Sequence, residues 1–121
     1  MENKYYIPSI EEFREGFLYE LKMGNNWYPM NSPFYPLVSN SGLEYRVKYL
    51  DSEDIESFGF AHIGSLWFEN IEKSYRIRKW KGNEVDIYKW WGDEDSTLIF
   101  RGKIKNKSEL EILLKQLSII Q

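Results

Sequence analysis

A short stretch that begins at Arg78 combines the side chains best suited to molecular recognition in this chain. The segment "RKWKGNEVDIYKWWGDEDS", residues 78–96, holds three of the five tryptophans among basic and acidic side chains. Arginine and large aromatic residues are enriched at the energetic centres of protein interfaces, and the same side chains stack on single-stranded nucleic acid. The stretch therefore predicts a binding surface rather than a reactive centre.

Residues with catalytic chemistry are scarce elsewhere. The chain has no cysteine and a single histidine, His62, which no serine or carboxylate accompanies in a recognised motif. The acidic cluster "DSEDIES" fits helix capping better than metal binding, and "GDEDS" lacks the alternating ligands and the glycine of a calcium loop. We therefore predict a protein that is not an enzyme and that has no catalytic residues, bound metal or cofactor.

Composition is typical of a folded, globular protein. A length of 121 residues suits one domain with its own hydrophobic core, so we predict a single globular domain spanning residues 1–121. The formal net charge of −3 disfavours a general nucleic-acid binder, which usually has a basic excess. The start, "MENKYYIPSI", lacks the apolar run of a signal peptide, and no stretch reaches membrane-spanning length. We expect a soluble, cytoplasmic protein with no membrane partner.

Side-chain parity predicts a β-hairpin around the loop 81–83. The segments on either side of this loop each place apolar residues on one face, and an odd-length loop lets those faces coincide. In this register Ile77 lies opposite Ile87 and Arg78 lies opposite Asp86. An apolar pair and an opposite-charge pair thus arise together, which supports the register.

The next segment, "TLIFRGKI", is predicted to be a third strand that adds Leu98 and Phe100 to the apolar face. Two registers remain open for this strand. They place Arg101 opposite either Glu84 or Asp86, so Arg101 meets an acid in both.

The opposite face of this predicted sheet carries arginine and aromatic side chains, and we predict that it is the recognition surface. The predicted partner-binding residues are Arg76, Arg78, Trp80, Tyr88, Trp90, Trp91 and Arg101. The alternative interpretation is that the aromatic rings form a second packing layer against another part of the chain, with each arginine held by a cross-strand acid.

Helical spacing of leucines marks the last segment, "SELEILLKQLSII". Ser108 and Glu111 have the spacing of a capping box, so the helix is predicted to be capped there. A short helix is predicted near residues 52–58, with Asp51 as its cap. Earlier, "GFLYELKM" and "LEYRVKYL" alternate as strands, and a turn at Gly24 follows the first.

Together these elements predict an α+β fold. We expect a mainly antiparallel sheet of about five to six strands, with the C-terminal helix packed on one face. Pro29 should place its own strand at a sheet edge, because proline cannot donate to a central ladder. The stretch "NSPFYPLVSNSG" breaks both periods and is predicted to be an irregular loop.

Three segments, taken together, carry a pattern that extends beyond this chain: "YIPSIEEFREGFLYE", "YRVKYLDSEDIESFGF" and "FRGKIKNKSELEILLKQL". In these segments the chain resembles small uncharacterised proteins common in phages and prophages of Bacteroidetes-type bacteria. The likeness is collinear and nearly full length. Where that pattern often has His-Val, this chain has Arg14-Glu15, so a histidine of the family is absent here. The resemblance implies a phage accessory gene and carries over no catalytic residue.

Small phage accessory proteins often act by binding and disabling a host system, including CRISPR effectors. The resemblance therefore implies a non-enzymatic protein that binds and modulates a host protein or ribonucleoprotein in the bacterial cytoplasm, such as an inhibitor of a CRISPR-type immune nuclease. One alternative is a small RNA- or single-strand-binding module that uses the arginine and tryptophan side chains. A second alternative is a structural virion component. The sequence leaves self-association open.

Overall fold

The computed structural model describes four stretches of the chain, which are residues 4–14, 16–31, 44–90 and 96–121. The chain divides into two compact units, Met1–Tyr49 and Leu50–Gln121, and each is described by itself. The expectation of one globular domain over the whole chain stays a prediction.

The first unit contains a four-stranded antiparallel sheet. Its strands are β1 (Tyr5–Tyr6), β2 (Leu18–Met23), β3 (Asn26–Asn31) and β4 (Glu44–Lys48). They lie side by side in the order β1-β4-β2-β3. A single 3-10 turn over Ile10–Glu12 precedes β2, and the Ser9 N–H donates to Glu12 Oε2 at 2.8 Å.

Alternation along β2 builds the core of the first unit. Phe17, Tyr19 and Leu21 are buried on one face, where Val47 of β4 joins them. Met23 continues the same alternation but is exposed, because β2 ends there at its hairpin. The predicted strand and its apolar face are confirmed.

The β2–β3 hairpin turns at Gly24, as the sequence predicts. Gly24 has a φ of 65°, a backbone conformation that tight hairpin turns require and that glycine adopts without steric cost. Pro29 lies opposite Glu20 on β3, which is an edge strand of this sheet. The predicted edge position of the proline strand is confirmed.

The second unit combines a five-stranded antiparallel meander with two helices. The helices are α1 (Ser52–Glu56) and α2 (Lys107–Gln116). The strands follow one another across the sheet and are β5 (Ala61–His62), β6 (Trp67–Asn70), β7 (Tyr75–Lys79), β8 (Glu84–Trp90) and β9 (Ser96–Lys103). No helix of the described stretches is long and apolar enough to span a membrane.

One face of the meander forms the larger core with the helices. Phe68, Ile77 and Ile87 are buried on three neighbouring strands, and Leu110 and Leu114 of α2 pack into the same cluster. The leucine spacing along α2 places these side chains on one side of the helix, so the helix covers this face of the sheet. The opposite face of the meander is left for other contacts.

The predicted α+β class is confirmed, including the antiparallel pairing, the C-terminal helix and the short helix near residues 52–58. One feature differs, because the strands are divided between sheets of four and five strands instead of forming one sheet. Alternation within a segment specifies a strand and its apolar face. It does not specify which strands share a sheet.

The β7–β8 hairpin has the register that parity predicts. Ile77 pairs with Ile87, and Arg78 pairs with Asp86. Gly82 in the connecting loop has a φ of 76°, which relieves the strain of the tight connection. This hairpin fixes which side chains of β7 and β8 lie next to each other on the face opposite the larger core.

Between the two registers that the sequence leaves open for β9, the structure contains the one with Arg101 opposite Asp86. Glu84 lies opposite Lys103 instead. The basic residues of β9 therefore both have an acidic cross-strand neighbour on β8.

A β-bulge interrupts the β8–β9 ladder. Ile87 pairs with Phe100 whereas Tyr88 pairs with Leu98, so Ile99 is an extra residue without a partner on β8. The extra residue places Leu98 on the same face as Tyr88, where it is 41% exposed. The predicted core position of Leu98 is wrong for this reason, while Phe100 packs against the core.

Helix α1 is capped as its acidic first turn predicts. The Asp54 N–H donates to Asp51 Oδ1 at 3.0 Å, and the Asp51 N–H donates back to Asp54 Oδ2 at 3.3 Å. Ile55 is fully buried, and Phe58 packs against the same core cluster. Helix α1 ends at Glu56, with Ile55 and Phe58 anchoring this segment to the larger core.

The cap of helix α2 lies two residues before the predicted one. The cap is Asn106, whose Oδ1 accepts a hydrogen bond from the Glu109 N–H at 2.9 Å. The Lys105 N–H donates to Glu109 Oε1 at 2.6 Å, which satisfies a second backbone donor. The predicted capping role of Ser108 is wrong, because Ser108 lies buried inside the helix. Asparagine and serine cap helices about equally well, so the local sequence pattern could not decide between Asn106 and Ser108 as the cap.

We expect Leu114→Ala to lower the free energy of unfolding by about 2–5 kcal/mol, the usual cost of truncating a fully buried leucine. Chemical denaturation of the two proteins measures this difference. Lys115→Ala is the control, because Lys115 is the next residue of α2 and is exposed. Equal stabilities of the two variants would show that α2 does not depend on packing against the sheet.

Asn106→Ala should lower the free energy of unfolding by about 0.5–2 kcal/mol through loss of the helix cap. Ser108→Ala is the matched variant and should cost less, because Ser108 does not cap the helix. Thermal melting followed by circular dichroism compares the two. A larger loss for Ser108→Ala would place the start of the helix where the sequence pattern put it.

Candidate functional site

Alternation on the central strands brings the predicted binding residues to one face of the meander. Six of the seven lie on or beside β7, β8 and β9 on the side opposite the larger core, and Trp91 lies outside the described residues. The same side also carries residues of β6 and an acid at its centre. We call this surface the aromatic–arginine face, and it consists of Trp67, Glu69, Arg76, Arg78, Trp80, Asp86, Tyr88, Trp90 and Arg101.

Asp86 is the buried centre of the aromatic–arginine face, with a side chain only 2% exposed. Its Oδ2 accepts hydrogen bonds from Trp80 Nε1 at 2.9 Å, from Arg78 Nη2 at 3.1 Å and from the Tyr88 hydroxyl at 3.4 Å. Its Oδ1 accepts from Arg101 Nε at 3.0 Å, and Arg101 Nη2 lies 3.4 Å from Oδ2. One carboxylate thus orients four of the predicted binding residues.

The charge of Asp86 follows from these contacts. Burial raises the pKa of Asp86, because it disfavours the ionised form. Hydrogen bonds from Arg101, Trp80 and Arg78 together outweigh burial and lower the pKa from 3.8 to about 2. Asp86 is therefore ionised at neutral pH. The hydrogen bond to Asp86 raises the pKa of Arg101, so Arg101 stays protonated.

Arg78 lies within a group of three aromatic rings. Its Cζ atom is 4.1 Å from the centre of the Trp80 ring, 4.8 Å from that of Trp67 and 5.7 Å from that of Tyr88. Its Nη2 also donates to the Tyr88 hydroxyl at 3.0 Å. Cation–π contact on the rings and the ion pair with Asp86 hold this guanidinium in one position.

Arg76 forms a second arginine–aromatic contact on the same face. Its Cζ atom lies 4.6 Å from the centre of the Trp90 ring. Its Nε lies 3.1 Å from Glu69 Oε2, a distance that makes an ion pair, although the N–H is not aligned for a hydrogen bond. Glu69 sits directly opposite Arg76 on the neighbouring strand β6.

The solvent-accessible part of the face is polar and aromatic. The Arg101 side chain is 61% exposed, and Trp80 is 37% exposed. Arg101 directs one edge of its guanidinium at Asp86, and a guanidinium carries five N–H donors in all. A partner that approaches this face therefore meets an arginine whose position is already fixed and an indole ring beside it.

The sequence did not identify Trp67 and Glu69 as members of this face. They lie on β6, where Trp67 pairs with Arg78 and Glu69 pairs with Arg76. The signal was present in the parity of β6, since Phe68 between them is a core residue. Extending the β7–β8 register by one strand would have placed both residues on the aromatic–arginine face.

A related arrangement occurs in the first unit. The Cζ atom of Arg46 lies 3.7 Å from the Tyr5 ring centre and 3.9 Å from the Trp27 ring centre. Arg46 Nε also donates to Glu20 Oε1 at 2.8 Å. The sequence did not predict this cluster, because its members come from four strands that are separated along the chain.

The described stretches contain no cluster of metal-binding residues, and the one histidine lies on the surface beside an aromatic ring. Among residues 4–14, 16–31, 44–90 and 96–121, no group of three or more acidic or histidine residues could hold a metal ion. His62 is exposed and stacks on Phe68 with ring centres 4.4 Å apart. The predicted lack of enzymatic activity stays a prediction.

The comparisons with known proteins return no relative: no protein-family model matches the chain, and no curated protein or solved structure matches it significantly. The resemblance to phage and prophage proteins therefore stays a prediction. The contacts of the aromatic–arginine face carry the functional argument.

Asp86→Asn should remove the part of the free energy of unfolding that depends on the ionisation of Asp86. Because the folded pKa of Asp86 lies below its ordinary value, its ionised form stabilises the fold above about pH 4, and this contribution is lost as pH falls through about 2. Solvent near Arg101 reduces the contribution, which we expect to be on the order of 1–2 kcal/mol.

Urea denaturation of the wild type and of Asp86→Asn at several pH values between 7 and 2 measures the effect. The variant should be less stable at neutral pH, and the difference should narrow as pH falls. A constant difference over this range would mean that the charge of Asp86 does not contribute to stability. Glu53→Gln, on an exposed residue of α1, is the control.

Proposed function

We propose that this protein is a non-enzymatic binding protein and that its aromatic–arginine face recognises another protein. The observation that carries the proposal is the buried Asp86 carboxylate, which fixes Arg78 and Arg101 within a layer of aromatic rings. Arginine, tryptophan and tyrosine are the residue types most enriched among energetic hot spots of interfaces.

Preorganisation supports binding by this face. Ordering a long side chain at an interface costs about 0.5–1.5 kcal/mol of binding free energy. Arg78 and Arg101 are already ordered by Asp86, and ring contacts hold Arg78 and Arg76 as well. A partner can therefore pair with these groups with a smaller loss of conformational entropy.

The charge of the face favours a protein partner over nucleic acid. Arg76 is paired with Glu69, and Arg78 and Arg101 share Asp86, so carboxylates neutralise much of the arginine charge. Binding to a phosphate backbone depends on unneutralised basic charge. Recognition of single-stranded RNA remains the alternative, because the exposed Trp80 ring is a stacking platform.

The biological part of the proposal is that the partner is a bacterial host protein or ribonucleoprotein that the product of a mobile element modulates. A CRISPR-type immune nuclease is the target class that we favour. This part depends on the resemblance of "YRVKYLDSEDIESFGF" and its companion segments to phage and prophage proteins. The choice of the aromatic–arginine face as the binding surface depends on its structural contacts and does not use this resemblance.

The experiment is affinity capture from a bacterial host lysate, with and without nuclease treatment. A protein that stays bound after nuclease treatment supports the proposal, whereas recovery of RNA alone supports the alternative. The captured protein is then purified and its dissociation constant is measured against variants of the face.

Arg101→Ala and Trp80→Ala should each weaken binding of that protein at least about tenfold, as expected when a hot-spot side chain is removed. Lys115→Ala, on the exposed side of α2, should leave binding unchanged. Circular dichroism confirms that each variant is folded at the assay temperature. Unchanged affinity in folded Arg101→Ala and Trp80→Ala variants would move the binding site away from this face.

A further inference from the structure

Strand β9 is a long edge strand of the five-stranded sheet. It comprises the eight residues Ser96–Lys103, and β8 pairs with one side of it. No strand of the described stretches pairs with its other side. An edge strand of this length presents backbone N–H and C=O groups to which an extended segment can add.

The register shows which backbone groups point outward. The Ile104 N–H donates to the Asn83 carbonyl at 2.8 Å, which continues the ladder beyond the end of β9. Backbone direction alternates along an antiparallel strand, so Gly102, two residues before Ile104, also faces β8. The N–H and C=O groups of Arg101 and Lys103 therefore point away from β8.

The side chains beside this edge are basic and apolar. Residues 96–103 include Arg101 and Lys103 and contain no acidic residue. Arg101 and Lys103 project on the side of the aromatic–arginine face, since they alternate with Gly102. Leu98 and Ile99 are exposed next to them. Strand β9 itself therefore combines basic and apolar side chains, while Asp86 and Glu84 of β8 lie opposite Arg101 and Lys103 and offset part of the positive charge.

Pairing with a second copy of β9 fits this edge poorly. Pairing two copies of residues 96–103 would bring four basic side chains together without an acid from either β9 strand, and like charges on paired strands are destabilising. The bulge at Ile99 also limits the straight length that two copies could pair. An extended segment with acidic residues at alternate positions has the complementary charge.

We propose that the outer edge of β9, at Arg101 and Lys103, accepts an extended acidic segment of the partner protein as an added strand. Its acidic side chains would lie beside Arg101 and Lys103, and its intervening apolar side chains would lie beside Phe100. This inference rests on the proposed function, which it extends by assigning the partner's conformation and charge. Arg101 belongs to both surfaces and joins the edge to the aromatic–arginine face.

The probe is a short blocked peptide that alternates glutamate with valine, and its binding is followed by NMR of the isotopically labelled full chain. Amide hydrogen exchange at Arg101 and Lys103 should slow when the peptide binds. Exchange at Gly102 should change less, because its N–H already faces β8. A peptide that alternates lysine with valine should bind at least about tenfold more weakly, and added salt should reduce this difference.

Two variants of one residue separate backbone pairing from charge. Lys103→Pro removes an outward N–H and the charge, and the preceding Gly102 tolerates the restriction that proline imposes. Lys103→Gln removes the charge alone. We expect Lys103→Pro to weaken peptide binding at least about tenfold and Lys103→Gln to weaken it about threefold. Circular dichroism checks that both are folded.

Equal losses in the two variants would overturn the added-strand mode, and so would peptide binding without protection of Arg101 and Lys103. Protection of these amides that grows with protein concentration in the absence of peptide would identify a second copy as the occupant and overturn the proposal. The probe does not require the host partner. A failed peptide test therefore leaves the proposed function standing. Conversely, normal binding of the host protein by the Arg101→Ala and Trp80→Ala variants would reject that function without testing whether β9 accepts an added strand.

Discussion

The arrangement of the second unit depends on one constraint, which is the placement of an ionised carboxylate inside a sheet face. A buried carboxylate without partners is strongly unfavourable, so Asp86 requires charge-assisted hydrogen bonds from its neighbours. Two arginines, an indole N–H and a phenol supply them from β7, from the loop that follows it, and from β8 and β9. The positions of these side chains are therefore coupled, and a change in one alters the environment of the others.

The aromatic–arginine face differs from a second hydrophobic core for the same reason. A layer of tryptophan and tyrosine rings alone would bury apolar surface without fixing a unique arrangement. The carboxylate and the guanidinium groups impose directional contacts, and the rings then cover the charges. Arg46 in the first unit shows the same combination of a guanidinium, two rings and a glutamate. Each unit thus contains an arginine that aromatic rings and a carboxylate hold in place.

In the proposed added-strand mode, edge strand β9 would connect this charge arrangement to backbone recognition. Arg101 lies opposite Asp86 on one side, while its backbone groups point to the outer edge of the sheet. A surface in which side-chain donors and backbone donors lie next to each other can read both the charge and the conformation of a segment. The bulge at Ile99 and the basic residues beside it also oppose indiscriminate pairing, which is the common hazard of an exposed edge.

The sequence by itself determined both helices, strands β2 to β4 and β7 to β9, and the β7–β8 register, because alternation, leucine spacing and loop parity are local properties of the chain. It also placed Arg78 beside Asp86 and identified six side chains of one face. Tertiary structure alone decided the division into two sheets, the choice of Asp86 over Glu84 for Arg101, and the exposure of Leu98 through the bulge. It also decided that Asn106 caps α2 and that Trp67 covers Arg78. These outcomes depend on packing between segments that are distant along the chain. Judged by local sequence alone, the alternative registers and caps have nearly equal free energies, and burial in the folded chain selects among them.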